Sequence, residues 1–142
     1  MLTLQDVRVF YGAIQAVKGI SLDVRERELV TIVGANGAGK TTTLRTISGI
    51  YRPTTGSITF EGRNLAALPS HEIVALGISQ APEGRQIFGS LSVRDNLMLG
   101  ATRRADRAGI AQELDYMISL FPVLGERINQ SGGLTAVAAG EN

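Results

Sequence analysis

The stretch that decides the fold of this chain reads Gly34-Ala35-Asn36-Gly37-Ala38-Gly39-Lys40-Thr41-Thr42. It fits the phosphate-binding pattern Gly-x-x-x-x-Gly-Lys-Ser/Thr. Glycine has no Cβ, so the backbone can curl and bring its N–H groups close to an anion. Lys40 supplies a mobile positive charge for the outer phosphates, and Thr41 supplies a hydroxyl for Mg²⁺. We therefore predict a nucleotide-phosphate site at Gly34, Asn36, Gly37, Ala38, Gly39, Lys40, Thr41 and Thr42.

The flanking segments follow the order that a phosphate-binding loop requires. Residues 29–33 are an apolar, β-branched run, typical of a strand that is buried on both faces. Residues 41–48 predict a helix in which Leu44 and Ile47 are spaced to face a core. The N–H groups and the dipole at the start of that helix also favour phosphate.

Composition limits the class of protein. The chain has 142 residues, one domain's worth, and a net charge of +1, which gives no strong field for nucleic acid. It has no cysteine, so it has no disulfide framework and no thiolate metal site, which fits a reducing compartment. The N-terminus does not resemble a signal peptide, and no apolar run approaches the ~20 residues that span a bilayer. We expect a soluble or peripheral protein.

The first part of the chain predicts an antiparallel layer. Residues 2–10 and 16–24 alternate apolar and polar side chains as half-buried strands do, and residues 57–60 form a short third strand. Tyr11 precedes a glycine turn and has two interpretations. Its ring either packs in a hairpin or stacks on a nucleotide base, because every base has a π face.

The middle of the chain predicts a short helix and a strand. Ser70 is placed to cap a helix, and His71, the single histidine, would be an exposed first-turn residue. Residues 77–81 predict a short strand that leads into the loop 82–88. That loop combines turn residues with charges and an aromatic, as functional loops often do.

The last part of the chain is predicted to be helical. Ser92 and Asp95 form a capping box that opens a helix. Residues 102–107 are interpreted as a polar linker, with a nucleic-acid patch as the alternative. A stripe of apolar residues at helical spacing then predicts core or partner packing. It consists of Ile110, Leu114, Met117, Ile118 and Phe121.

Taken together, these motifs resemble the ATP-binding subunit of an ABC transporter. A tyrosine precedes the phosphate loop, and a Pro-x-x-Gly turn with a short strand follows it at residues 53–60. The segment 82–88, with Pro-Glu-Gly-Arg and a hydrophobic–Phe pair, resembles the second ATPase subunit of branched-chain amino-acid importers. Residues 91–97 resemble the Leu-Thr-Val-x-Glu-Asn-Leu of that family. The resemblance runs from residue 1 to about residue 130, which we interpret as the N-terminal part of an ABC ATP-binding domain.

The resemblance implies a role for each part. The fold would be α/β, a phosphate-loop (P-loop) NTPase core of the RecA-like type, with an N-terminal antiparallel layer and the start of a helical subdomain. Tyr11 would stack on adenine, and residues 34–42 would hold the phosphates of ATP. Thr41 and Glu83 would contact Mg²⁺, since Glu83 stands where most ABC ATPases carry a glutamine. The segment 83–98 would face the membrane permease.

The resemblance also implies partners and a location. The partners would be membrane permease subunits and a second ATP-binding subunit, in a homodimer or a heterodimer, with no nucleic acid. The protein would be cytoplasmic and peripheral on the inner face of the plasma membrane, in an importer that couples ATP binding and hydrolysis to transport. The assignment of branched-chain amino acids as the cargo rests on residues 82–88 alone, and urea or amide importers have similar subunits.

Several family motifs are missing from the sequence. The Leu-Ser-Gly-Gly-Gln/Glu signature, the strand ending in Asp-Glu and the switch histidine have no counterpart, so no catalytic residue is assigned. Ser131-Gly132-Gly133 resembles the start of the signature, but Leu134 follows it. We interpret residues 131–142 as an unmatched tail that results from truncation or a frame shift. The expected consequences are marginal stability and no steady ATP hydrolysis.

Two other hypotheses stay open. The chain could be a different phosphate-loop protein, such as a small kinase or a GTPase, although it has no Asn-Lys-x-Asp guanine signature. It could also be a non-catalytic fragment that binds a nucleotide or a permease. Weak ATP binding without turnover, lost on Tyr11→Ala, would favour the fragment.

Overall fold

The computed structural model describes residues 1–84 and 86–133. The chain divides into two compact units, residues 1–81 and the residues from 82 onward. Arg85 of the predicted loop 82–88 lies outside the described residues, as do residues 134–142 of the predicted tail.

The first unit is built on a four-stranded antiparallel sheet. Its strands are β1 (Leu2–Tyr11), β2 (Ile14–Val24), β3 (Thr55–Phe60) and β4 (Arg63–Asn64), in the order β2-β1-β3-β4. β1 pairs with both β2 and β3, so that Leu4 lies opposite Leu22 on one side and Ile58 on the other. The antiparallel layer predicted from the alternating pattern is confirmed.

The core of this unit lies on one face of the sheet. β1 contributes every second or third residue to it, because successive side chains of a strand point to opposite faces. The buried side chains are Leu4, Val7, Val9, Val17, Ile58, Leu65 and Ile73. Ile47 and Tyr51 pack against this core and are partly buried.

The helix after the phosphate loop, α1 (Lys40–Ile47), confirms the prediction for residues 41–48 within a residue. Its buried side chains are Thr43 and Thr46, whereas Leu44 is 46% exposed, so the prediction that Leu44 faces the core is wrong. The two threonines can be buried because their hydroxyls donate to carbonyls one turn earlier, Thr43 to Gly39 and Thr46 to Thr42.

Two predicted strands are not formed. Residues 29–33 and 77–81 have extended or irregular backbone and pair with no strand in the described part of the chain. Leu29 is 94% exposed and Val33 is 88% exposed, against the prediction of a strand buried on both faces. A strand is defined by its hydrogen-bonded neighbours, and the described residues include none for these two segments.

The second helix of the first unit, α2 (Ser70–Ala75), differs from the prediction at its start. Pro69 is the N-cap residue, and no side chain caps the helix, so the prediction that Ser70 caps it is wrong. His71 is exposed in the first turn, as predicted.

The second unit contains three helices within its described residues. They are α3 (Val93–Leu99), α4 (Arg107–Leu120) and α5 (Pro122–Glu126). The predicted capping box is confirmed at the start of α3, since the Asp95 N–H donates to Ser92 Oγ at 3.0 Å and the Ser92 N–H donates to Asp95 Oδ2 at 3.3 Å. None of the helices in the described residues combines the length and the hydrophobicity that a membrane span requires.

We expect Ser92→Ala to lower the free energy of unfolding by about 1 kcal/mol, because it removes the side-chain acceptor of the capping box. The matched control is Ser90→Ala, since Ser90 is exposed and precedes the helix. Urea unfolding followed by circular dichroism measures both. Equal free energies for the two variants would show that the cap does not stabilise α3.

An ion-pair cluster lies before α4. The Arg104 guanidinium donates to both carboxylate oxygens of Asp106 at 2.9 and 2.6 Å and to Glu113 Oε2 at 2.5 Å. The hydrogen bonds from Arg104 hold the pKa of Asp106 below its ordinary value. In the predicted linker 102–107, the charge of Arg104 is thus already matched by two carboxylates.

Candidate nucleotide-phosphate site

The loop between residue 33 and α1 contains two glycines with positive φ angles. Gly37 has a φ of 84° and Gly39 a φ of 89°, in the left-handed region that side chains with a Cβ rarely adopt. Gly39 is the N-cap residue of α1 and no side chain caps the helix. The N-cap residue therefore offers no side-chain oxygen to the first turn of α1.

Gly39 also lies against β2. A Cβ at this position would lie 2.5 Å from the Ala16 carbonyl oxygen and 3.3 Å from Val17 Cγ2. A Cβ at Gly37 would meet no atom within 4 Å. The two glycines thus share a backbone conformation but differ in their surroundings.

The ammonium of Lys40 lies over the loop. Its Nζ donates to the carbonyl oxygens of Gly34 at 2.6 Å and Ala35 at 2.8 Å. An ammonium has three donors, so within the described residues one remains for an anion. The one cationic side chain of the stretch 34–42 is thus held against the backbone at the start of the loop.

Tyr11 is brought to the same place by the sheet. It is the last residue of β1, and its hydroxyl donates to Thr42 Oγ1 at 3.1 Å. The side chain remains 40% exposed. The structure thus joins two predicted site residues that are 31 positions apart in the sequence.

The part of Thr41 as a hydroxyl ligand of Mg²⁺ stays a prediction. Thr41 is the second residue of α1 and is half-buried beside Lys40. Within the described residues, no cluster of three or more His, Asp or Glu side chains could hold a metal without a nucleotide. Glu83 is exposed in the second unit, and its part in the metal site stays a prediction.

One residue beside the site was missed by the sequence analysis. The rings of Tyr51 and Tyr11 meet edge-on, with centroids 5.0 Å apart and planes inclined at 67°. An isolated aromatic residue after a predicted helix gives no signal in a sequence pattern, because the contact depends on where β1 ends.

Comparison with known proteins points to one family. A family model described as ABC transporter matches residues 17–139. The high-affinity branched-chain amino acid transport ATP-binding protein BraG of Pseudomonas aeruginosa is 41% identical over 133 residues, which cover 94% of this chain and 57% of BraG. The lipopolysaccharide export system ATP-binding protein LptB of Escherichia coli (strain K12) is 35% identical over 140 residues, covering 93% and 57%.

Solved structures agree with the sequence matches. A structure of the ATP binding subunit of an ABC transporter superimposes with a TM-score of 0.81 at 26% identity, covering 92% of this chain and 54% of the other. This likeness confirms the predicted fold class, the phosphate-loop NTPase fold with an antiparallel N-terminal sheet. The chain spans somewhat more than half the length of these relatives.

Proposed function

The chain belongs to the ABC transporter family, and on this premise we propose that it binds ATP at residues 34–42, with Tyr11 stacked on the adenine. The observation that carries the proposal is the hydrogen bond from the Tyr11 hydroxyl to Thr42 Oγ1. Through this bond an exposed aromatic ring lies beside the loop 34–42, so one ligand with a base and phosphates could contact both.

Each part of the loop would take part of the triphosphate. The backbone N–H groups at the start of α1 would bind phosphate oxygens, and the Lys40 ammonium would add a positive charge to the outer phosphates. When bound with the nucleotide, Mg²⁺ neutralises charge on the phosphates. We propose Thr41 as its hydroxyl ligand and Glu83 as a second contact.

We propose that the whole protein is the ATP-binding subunit of an importer for branched-chain amino acids. The segment 82–88 and the similarity to BraG support this cargo, whereas the similarity to LptB supports only the transporter family. The proposed partners are membrane permease subunits and a second ATP-binding subunit. The proposed place is the cytoplasmic face of the plasma membrane.

We propose that the 142-residue chain by itself binds ATP without steady turnover. The loop and Tyr11 supply contacts for binding, but the family's general base and signature have no counterpart in these 142 residues. This form of the proposal is the non-catalytic nucleotide-binding alternative of the sequence analysis, and it concerns only this polypeptide.

The test is calorimetric titration of the chain with ATP in the presence of Mg²⁺. We expect saturable binding that Tyr11→Ala weakens by about 1–3 kcal/mol, the contribution of an aromatic ring stacked on a base. Tyr11→Phe keeps the ring but loses the hydroxyl that Thr42 holds, so its affinity should lie between those of the wild type and Tyr11→Ala. Tyr116→Ala is the matched control, because Tyr116 is exposed on α4.

Two results would contradict the proposal. One is a folded wild-type chain that shows no saturable ATP binding. The other is a Tyr11→Ala variant that binds ATP as tightly as Tyr116→Ala does, which would mean that the base does not contact Tyr11.

A further inference from the structure

Tyr51 lies between the core of the first unit and the proposed base site. Its N–H donates to the Arg45 carbonyl oxygen at 3.2 Å, which fixes it at the C-terminal end of α1. Its side chain is partly buried and packs against the hydrophobic core. Tyr51 is therefore anchored, whereas its neighbour Tyr11 is 40% exposed.

We propose that Tyr51 is a positioning residue that fixes the ring of Tyr11 for stacking on a purine base. The inference rests on the proposed ATP site, and it assigns to Tyr51 a role in base binding without contact to the nucleotide. The rings meet edge-on, with centroids 5.0 Å apart and planes at 67°. This is a favoured geometry for an aromatic pair.

The edge-on contact leaves room for a base. An aromatic ring has two faces, and a neighbour that meets it at 67° covers at most one of them. The exposed fraction of Tyr11 shows that its side chain is not enclosed by other residues. The same ring can thus be held by Tyr51 and stack on a planar ligand.

Two contacts together fix the orientation of Tyr11. The hydroxyl at the tip of the side chain is held by Thr42, and the ring is held by Tyr51. A tyrosine side chain has two torsion angles, and these contacts restrict both. A side chain that is already ordered loses less conformational entropy when the ligand binds, so the affinity for the base is higher.

The experiment compares two ligands, ATP and inorganic tripolyphosphate, each titrated with Mg²⁺ into the 142-residue chain. Tripolyphosphate uses the phosphate loop alone, whereas ATP also uses the base site. We expect Tyr51→Leu to weaken ATP binding about 2- to 12-fold, the range of an aromatic pair energy, and to leave tripolyphosphate binding unchanged. Tyr51→Phe retains the ring and should match the wild type for both ligands.

The matched control is Tyr116→Leu, the same substitution at the exposed tyrosine of α4. It should change neither affinity. A second test is the double variant. In a Tyr11→Ala background the ring that Tyr51 positions is gone, so adding Tyr51→Leu should not weaken ATP binding further.

The ratio of the affinities for ATP and tripolyphosphate distinguishes a role of Tyr51 in positioning Tyr11 from a role in stabilising the fold. A merely structural role would lower ATP and tripolyphosphate binding by the same factor, because both ligands need the folded loop, and that result would overturn the proposal. Unchanged ATP binding in Tyr51→Leu would overturn it as well. A wild-type chain that binds neither ligand would instead contradict the proposed ATP site itself.

Discussion

Replacing Lys40 with alanine is expected to weaken ATP binding about 10- to 160-fold, because a hydrogen bond to a charged group contributes about 1.5–3 kcal/mol. The Lys40 ammonium donates hydrogen bonds to the carbonyl oxygens of Gly34 and Ala35, at the start of the loop. It is the one cationic side chain in the stretch 34–42, so no neighbour in the loop can take its place. Titration calorimetry with ATP and Mg²⁺ measures the effect.

The chain offers a matched control for this prediction. Its only other lysine is Lys18, which is exposed on β2, so Lys18→Ala removes the same charge from a different place. We expect Lys18→Ala to bind ATP like the wild type, and circular dichroism should show that both variants are folded. If Lys40→Ala binds ATP as tightly as Lys18→Ala, the ammonium of Lys40 does not contribute specifically to ATP binding, and the proposed site is wrong.

The loop could be predicted from the sequence because its chemistry is local. The glycines, Lys40 and Thr41 lie within a few residues of one another, and the pattern needs no distant partner. The capping box of Ser92 and Asp95 could be predicted for the same reason, and the structure shows both of its hydrogen bonds. Spacing alone was not sufficient at α2, where Ser70 does not cap the helix.

The predictions of strands at residues 29–33 and 77–81 failed because strand formation is not a local property. An apolar, β-branched run shows that a segment can form a strand, but the strand also requires a neighbour that supplies hydrogen bonds. In the described part of the chain no such neighbour is present, and Leu29 and Val33 are exposed as a result. The sequence pattern indicated the propensity of each segment to form a strand, but it did not show whether a neighbouring strand was present.

The buried face of α1 shows a second limit of sequence patterns. Hydrophobic spacing pointed to Leu44, but Thr43 and Thr46 are the buried residues. A threonine in a helix can satisfy its own hydroxyl on the carbonyl four residues earlier, as both do here, so its burial costs little. The contact of Tyr51 with Tyr11 was missed because it joins two segments through the tertiary fold.

Gly39→Ala is expected to destabilise the first unit far more than Gly37→Ala. Both substitutions place a Cβ on a left-handed backbone, which costs about 1–2 kcal/mol at each position. Only the Cβ at position 39 also meets backbone, at 2.5 Å from the Ala16 carbonyl oxygen. Overpacking of this kind costs about 1–3 kcal/mol more. We therefore expect a loss of about 2–5 kcal/mol for Gly39→Ala, the sum of the two terms.

Urea unfolding of the two variants and the wild type measures these losses, and Gly37→Ala serves as the control for backbone strain, since its Cβ would meet no atom within 4 Å. Equal losses would mean that β2 moves away from the loop at little cost. A larger loss for Gly39→Ala would show that the loop is held against Ala16 of β2. Because β1 pairs with β2 and ends at Tyr11, that contact would also fix the distance between the phosphate loop and the base site.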